Sequence, residues 1–151
     1  MHEGNRQVDV MAVREAVLSL EGEGVDVGPP TMRYTYLMGN ARFCLVPRGR
    51  GWWTVRLFEA MFAGCLPVLL SDRYRLPAAV PWDDFLIRWP SDRIDASLVA
   101  HLRAMPDDEL LRRRQAMDDA LCHVDYHDPT AACSPFVDAL RALHARSLDV
   151  R

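Results

Sequence analysis

The residues of this chain best suited to chemistry lie together, just after the predicted strand at 42–46. Glycines let backbone N–H groups approach an anion closely, and guanidinium groups bind phosphate oxygens in pairs. A hydroxyl at the start of a helix adds a cap and a further hydrogen-bonding group. The stretch contains all three: Arg48, Gly49, Arg50, Thr54 and Arg56. This combination predicts a site for a phosphorylated ligand.

Two carboxylates accompany these groups. Glu59 follows Arg56 by three residues, and Asp72 follows the next apolar run. The segment that carries Arg56 and Glu59 is otherwise apolar, so we expect a largely buried helix, in which a charge must be paired or serve a ligand. Either the two side chains pair with each other, or Arg56 binds phosphate and Glu59 accepts hydrogen bonds from ribose hydroxyls.

The surrounding elements are predicted to bring these residues to one edge of a sheet. Buried strands are expected at 42–46, 66–70 and 85–89, and helices at 8–21, 31–39, about 55–63 and over most of 95–150, with breaks near Pro106 and around 127–135. Strands that alternate with helices indicate an α/β fold with a parallel sheet, in which ligands bind beyond the carboxyl ends of the strands. Thr54 is the expected cap of the third helix and Gly64 its terminator.

Two common phosphate-binding motifs do not fit. The dinucleotide pattern requires a third glycine where this chain has Thr54, and the bulky Trp52 and Trp53 fill the spacer after Gly51. The GxxxxGK[ST] loop is absent from the sequence, which contains no lysine. Trp52 and Trp53 are expected to pack the loop against the sheet or to stack on a base or sugar.

The same stretch resembles the C-terminal part of the exostosin family of glycosyltransferases (GT47 type). The resemblance is strongest over residues 34–90, where many elements of the family pattern recur in order. They are Phe43-Cys44-Leu45, Pro47, Gly49, Thr54-x-Arg56, Glu59-Ala60, Gly64-Cys65-x-Pro67-Val68 and Asp72, followed by Leu76-Pro77 and Trp82. Thr54 replaces the usual serine and keeps the hydroxyl.

The resemblance implies a Rossmann-like domain that forms the C-terminal, donor-binding half of a GT-B architecture. It implies transfer of a sugar from a nucleotide-diphosphate donor, expected to be a UDP-sugar, to a glycan acceptor, in the Golgi. Glu59 would bind the donor ribose, and Asp72 would be a further residue of the cleft. The residues expected at the donor diphosphate are Arg48, Gly49, Arg50, Thr54 and Arg56. No catalytic residue is assigned.

The whole chain, residues 1–151, is expected to be one such domain, with a helical C-terminal region at 95–150. The C-terminal domain of the exostosin family usually opens with an apolar strand before its first helix, and this sequence resembles one that starts just after that strand. The resemblance therefore implies a domain that is incomplete at its N-terminus. No run of 18 apolar residues is present, so any membrane anchor is expected outside this chain. The alternative function is a non-catalytic fragment or interaction module that retains at most nucleotide binding.

Composition and cysteine spacing argue against other classes of site. The net charge of −3 gives no reason to expect a nucleic-acid partner. Four cysteines allow three pairings, and we expect Cys44 and Cys65 to be packed thiols rather than a bridge. The spacing of Cys122, His123, His127 and Cys133 matches no familiar zinc pattern, so no metal site is expected there. No cofactor is assigned.

Overall fold

Three parallel strands form the centre of the protein, described here by a computed structural model that covers residues 10–29, 31–127 and 133–148. The strands are β1 (Phe43–Pro47), β2 (Leu66–Leu70) and β3 (Ile87–Arg88). The helices in these ranges are α1 (Val10–Leu18), α2 (Tyr34–Gly39), α3 (Arg56–Phe62), α4 (Ala96–Arg103), α5 (Asp107–Ala120) and α6 (Pro135–Leu148). Over the same ranges, no helix combines the length and apolar character that crossing a bilayer requires.

The sheet has the order β1-β2-β3, and both strand pairs are parallel. Phe43 lies beside Leu66 at one end of the first pair, and Pro47 lies beside Leu70 at the other. All five residues of β2 are buried, as expected for a central strand covered on both faces. The predicted α/β fold with a parallel sheet and flanking helices is confirmed.

Buried side chains pack against both faces of this sheet. On one face, Leu69 belongs to a cluster with Leu57 and Met61 of α3 and Met117 of α5. On the other face, Val68 and Leu70 pack in a second cluster, together with Val13 of α1 and Leu98 of α4. Neighbouring residues of a strand point to opposite faces, so β2 contributes to both clusters.

The expectation that α3 is largely buried is wrong, because only one side of the helix is buried. Leu57, Ala60 and Met61 are fully buried, but Phe62 is 53% exposed and both charged residues of the helix are exposed. The structure places the N-cap at Val55 rather than at Thr54. Gly64 follows the helix with a φ of +71°, the left-handed conformation expected of a glycine terminator.

Strand β3 is shorter than the predicted strand at 85–89. The backbone N–H groups of Phe85 and Leu86 both donate to the carbonyl of Trp82, in a 3₁₀ turn over Trp82–Asp84. These donors are therefore used within the turn, and pairing with β2 begins only at Ile87.

The remaining helices agree broadly with the predicted ones. Pro106 separates α4 from α5, as expected. The first predicted helix extends over residues 8 and 9, which lie outside the described residues. The same holds for residues 149 and 150 of the C-terminal region and for residues 128–132 of the predicted break at 127–135.

The prediction that Cys44 and Cys65 are packed thiols is wrong, because they form a disulfide. Parallel pairing places Cys44 beside Pro67, so the start of β2 lies next to β1 although 21 residues separate the two cysteines. Sequence spacing does not show this proximity, which arises from the crossover through α3. Cys122 and Cys133 form a second disulfide.

Candidate functional site

The segments that follow the three strands leave the sheet at the same edge. Parallel pairing aligns the carboxyl ends of β1 and β2, where Pro47 lies beside Leu70, and β3 runs in the same direction. The loop at 48–54, the segment from Ser71 and the segment from Trp89 therefore start close together. This edge is where open parallel sheets bind their ligands.

The loop after β1 is held by contacts around Trp52. Arg48 is only 5% exposed, and its guanidinium carbon lies 3.8 Å from the centre of a Trp52 ring. The guanidinium carbon of Arg73, after β2, lies 5.1 Å from that ring. The Ser71 hydroxyl donates a hydrogen bond of 3.0 Å to the Trp52 carbonyl. Trp52 thus packs the loop against the residues that follow β1 and β2, whereas Trp53 is 60% exposed.

Gly49 lies where the loop folds back on itself. A Cβ atom at this position would lie 2.6 Å from the carbonyl oxygen of Trp53, closer than folded proteins allow. The lack of a side chain is therefore required for the close approach of two backbone segments. Arg50, the next residue, is exposed.

The start of α3 is fixed by two hydrogen bonds. The Thr54 hydroxyl oxygen accepts from the backbone N–H of Arg56 at 3.3 Å. The Tyr74 hydroxyl, after β2, donates to the Thr54 carbonyl at 3.2 Å. Burial raises the pKa of Tyr74 above its ordinary value of 10.0, so the phenol is protonated at neutral pH. Thr54 thus lies at the edge of the sheet and orients the first residue of α3.

Arg56 and Glu59 are exposed and do not form an ion pair within 4 Å in the part of the chain that the structure describes. Each contacts Tyr34 of α2 instead. The Tyr34 hydroxyl donates to Glu59 Oε2 at 3.0 Å, and the Arg56 guanidinium carbon lies 4.7 Å from the centre of the Tyr34 ring. The link between Tyr34 and these two charges was not predicted from the sequence.

Asp72 joins the carboxyl ends of β2 and β3. Its Oδ1 accepts a hydrogen bond of 3.1 Å from the Ser91 backbone N–H, and its Oδ2 accepts from the Ser91 hydroxyl. The structure thus brings Asp72 to the same edge as the loop at 48–54. The serines that participate there, Ser71 and Ser91, were not predicted, although each closely follows the end of a buried segment.

The Cys122 region lies apart from this edge, after α5. Sγ of Cys122, Sγ of Cys133 and a ring nitrogen of His123 lie within 4.8 Å of one another. The two sulfurs form a disulfide, so neither is a thiolate that could ligate a metal. His123 Nδ1 lies 2.6 Å from Asp138 Oδ2, a contact that attaches α6 to the end of α5.

Comparison with known proteins links this arrangement to one family. Exostosin-1 of Drosophila melanogaster is 39% identical over 87 residues, which are 55% of this chain and 11% of that protein. A probable glycosyltransferase of Arabidopsis thaliana is 28% identical over 125 residues, 82% of this chain and 26% of that protein. A probable glucuronosyltransferase of Oryza sativa subsp. japonica is 36% identical over 91 residues, 59% of this chain and 21% of that protein.

The chain thus spans between 11% and 26% of the length of these relatives. The sequence pattern of the family described as "Exostosin GT47 domain" matches residues 3–105. This range includes all three strands and every residue of the candidate site. With more than two thirds of its residues matched, this chain belongs to the Exostosin GT47 domain family.

Proposed function

We propose that this chain binds the nucleotide diphosphate of a sugar donor, a UDP-sugar, as the donor-binding half of a GT-B glycosyltransferase. The observation that carries the proposal is the pair of exposed, opposite charges on α3, Arg56 and Glu59, which do not neutralise each other. They lie next to the sheet edge where parallel α/β proteins bind ligands. Membership of the Exostosin GT47 domain family supports a sugar-transfer reaction.

Each residue of the site has a distinct proposed role. Arg56 neutralises the diphosphate, and exposed Arg50 adds a second guanidinium group from the loop. The Thr54 hydroxyl oxygen accepts from a backbone N–H, so its hydrogen is available to a phosphate oxygen. Glu59 accepts hydrogen bonds from ribose hydroxyls. Arg48 is buried against Trp52, and we assign it to holding the loop in shape.

Gly49 and Asp72 complete the proposed cleft. Gly49 allows the close turn that brings Trp53 and Thr54 to the donor side. Asp72 fixes the segment after β3 through Ser91 and so shapes the floor of the site. These roles concern the position of the backbone rather than direct contact with the donor.

In the proposed reaction an acceptor hydroxyl of a glycan attacks the anomeric carbon of the sugar. The bond from that carbon to the diphosphate oxygen breaks, and the hydroxyl proton passes to a base for which we propose no residue. Negative charge develops on the departing diphosphate. Arg56 and the Thr54 hydroxyl stabilise this charge, an electrostatic contribution that is often the largest in such sites.

Calorimetric titration with UDP tests the proposal. Arg56→Ala removes a charge-assisted contact of about 1.5–3 kcal/mol, so the affinity is expected to fall about tenfold or more. Glu59→Gln is expected to weaken binding severalfold. The matched controls are Arg14→Ala and Glu15→Gln, because these residues are exposed on α1, which packs on the opposite face of the sheet from α3. Both controls should keep the wild-type affinity within twofold.

The titration also separates the proposal from its alternative. A chain that binds no UDP at millimolar concentration, or loses affinity equally in the control variants, would refute the donor site. Binding without sugar transfer to any glycan tested would favour a module that retains only nucleotide binding.

A further inference from the structure

Tyr34 connects the two charges of the proposed donor site. It lies on α2, 25 residues before Glu59 in the sequence, and is partly buried. Its hydroxyl donates to Glu59 Oε2 at 3.0 Å, and the Arg56 guanidinium carbon lies 4.7 Å from its ring centre. One aromatic side chain therefore contacts an anion through its hydroxyl and a cation through its ring.

These contacts restrict two flexible side chains. An exposed glutamate on a helix has several rotamers, and a hydrogen bond to a fixed hydroxyl favours one of them. The same ring gives the Arg56 guanidinium a contact other than Glu59, which lies three residues further along α3. With Oε2 held by Tyr34, Oε1 of Glu59 can accept from a ligand hydroxyl.

We propose that Tyr34 is a positioning residue that presents Glu59 to the ribose 2′- and 3′-hydroxyls and so sets the preference for a ribonucleotide donor. This inference rests on the proposed function. Tyr34 acts through Glu59 and needs no contact with the donor.

The raised pKa of Tyr34 agrees with its role as a hydrogen-bond donor to Glu59. Burial raises the pKa of Tyr34 above its ordinary value of 10.0, Arg56 lowers it, and Glu59 raises it again. The net shift is upward, so the phenol keeps its proton at neutral pH and donates to the carboxylate.

The test compares the affinities of UDP and 2′,3′-dideoxy-UDP, measured by calorimetry on wild-type, Tyr34→Phe and Glu59→Gln chains. Wild type should prefer UDP by about tenfold or more, because the dideoxy ligand cannot donate to Glu59. Glu59→Gln should reduce this preference. Tyr34→Phe should reduce it at least threefold and leave the affinity for dideoxy-UDP within twofold of wild type.

Tyr36→Phe is the matched control. Tyr36 lies two residues further along α2, is 61% exposed and contacts Arg33, with a ring-to-guanidinium distance of 5.4 Å. The control variant should keep the full preference for UDP. An unchanged preference in Tyr34→Phe, together with a lost preference in Glu59→Gln, would overturn the role of Tyr34 and leave the donor site intact. A wild type that binds neither ligand would overturn both.

A measurement without ligand tests the contact itself, even if Tyr34→Phe folds poorly. NMR titration of ¹³C-labelled tyrosine reports the pKa of Tyr34. Because the Tyr34 phenolate would be repelled by Glu59 and attracted by Arg56, Glu59→Gln should lower this pKa and Arg56→Ala should raise it. A pKa of Tyr34 that is the same in all three chains would contradict the inference.

Discussion

Arg48 and Arg56 show how the same residue type takes different roles within nine positions of sequence. Arg48 directly follows β1, and its guanidinium group is buried against the Trp52 ring. Arg56 begins α3 and is exposed at the edge of the sheet. A guanidinium group suits both settings, because it is weakly hydrated, stacks on aromatic rings and binds phosphate. Of these two arginines, the exposed one is accessible to a ligand.

Gly49 is the residue at which we expect a single methyl group to disturb the site most. Gly49→Ala would place a Cβ atom 2.6 Å from the Trp53 carbonyl oxygen, so the loop must shift. We expect a loss of about 1–3 kcal/mol in the free energy of unfolding, measured by urea denaturation. UDP affinity should fall as well, because Thr54 moves with the loop.

Gly51→Ala is the control for this prediction. Gly51 lies in the same loop, but a Cβ atom there would point into open space, and its φ is not positive. The free energy of unfolding should change by less than about 0.5 kcal/mol. Equal losses in the two alanine variants would contradict the proposed role of Gly49.

Candidate residues could be proposed from the sequence only where they are close together in it. Thr54, Arg56 and Glu59 were proposed because they lie within six positions of one another on a predicted loop and helix. The contact between Tyr34 and Glu59 was not predicted, because it spans 25 residues and depends on how α2 packs beside α3. The Tyr34 side chain is only partly buried, and its hydroxyl reaches the exposed Glu59 carboxylate.

At the level of elements, α3 connects the core to the site. One side of the helix carries the fully buried Leu57, Ala60 and Met61, and the other carries Arg56 and Glu59. Seven residues form too short a helix to be stable alone, so packing of the buried side must hold it in place. The orientation of the two charges therefore depends on the core.

Leu57→Ala tests this dependence. Removal of a fully buried leucine side chain should cost about 2–5 kcal/mol in the free energy of unfolding, measured by denaturation. Phe62→Ala removes a larger side chain from the same helix, but that side chain is 53% exposed, so its cost should be clearly smaller. A larger loss for Phe62→Ala than for Leu57→Ala would contradict the assigned buried side.

The bounds of a helix or strand were predictable where the apolar pattern of its own residues sets them. Strand β2 has the predicted bounds, because five consecutive apolar residues suit a strand covered on both faces. Strand β3 is two residues long because the Trp82 carbonyl binds the preceding N–H groups, a competition that apolar pattern alone does not show. The apolar composition of α3 predicted more burial than the structure shows, since Phe62 points outward.

At the level of the whole molecule, a disulfide closes the β1–α3–β2 unit that carries the candidate site. Cys44 and Cys65 are buried beside the core, and the bond between them encloses the loop at 48–54 and all of α3. Cross-linking restricts the unfolded chain, and a loop of this length corresponds to about 3 kcal/mol in the chain-entropy account. The bond thus stabilises the region that carries the candidate site.

Replacement of both Cys44 and Cys65 by alanine should therefore lower the free energy of unfolding by about 3 kcal/mol. The measurement is urea denaturation of the oxidised chains. A thiol assay on unfolded, unreduced wild type should detect no free thiols, because all four cysteines are paired. Four titratable thiols, or a double variant as stable as wild type, would contradict the disulfide assignment.

The proposed donor site lies at the carboxyl edge of the sheet, with the nucleotide diphosphate between Arg56 and Glu59. A crystal structure of the chain grown with UDP would show whether the nucleotide binds there. We expect diphosphate oxygens within hydrogen-bond distance of the Arg56 guanidinium group, and a ribose hydroxyl at the same distance from the Glu59 carboxylate. UDP bound elsewhere on the chain, with both side chains in contact only with Tyr34 and solvent, would contradict this expectation.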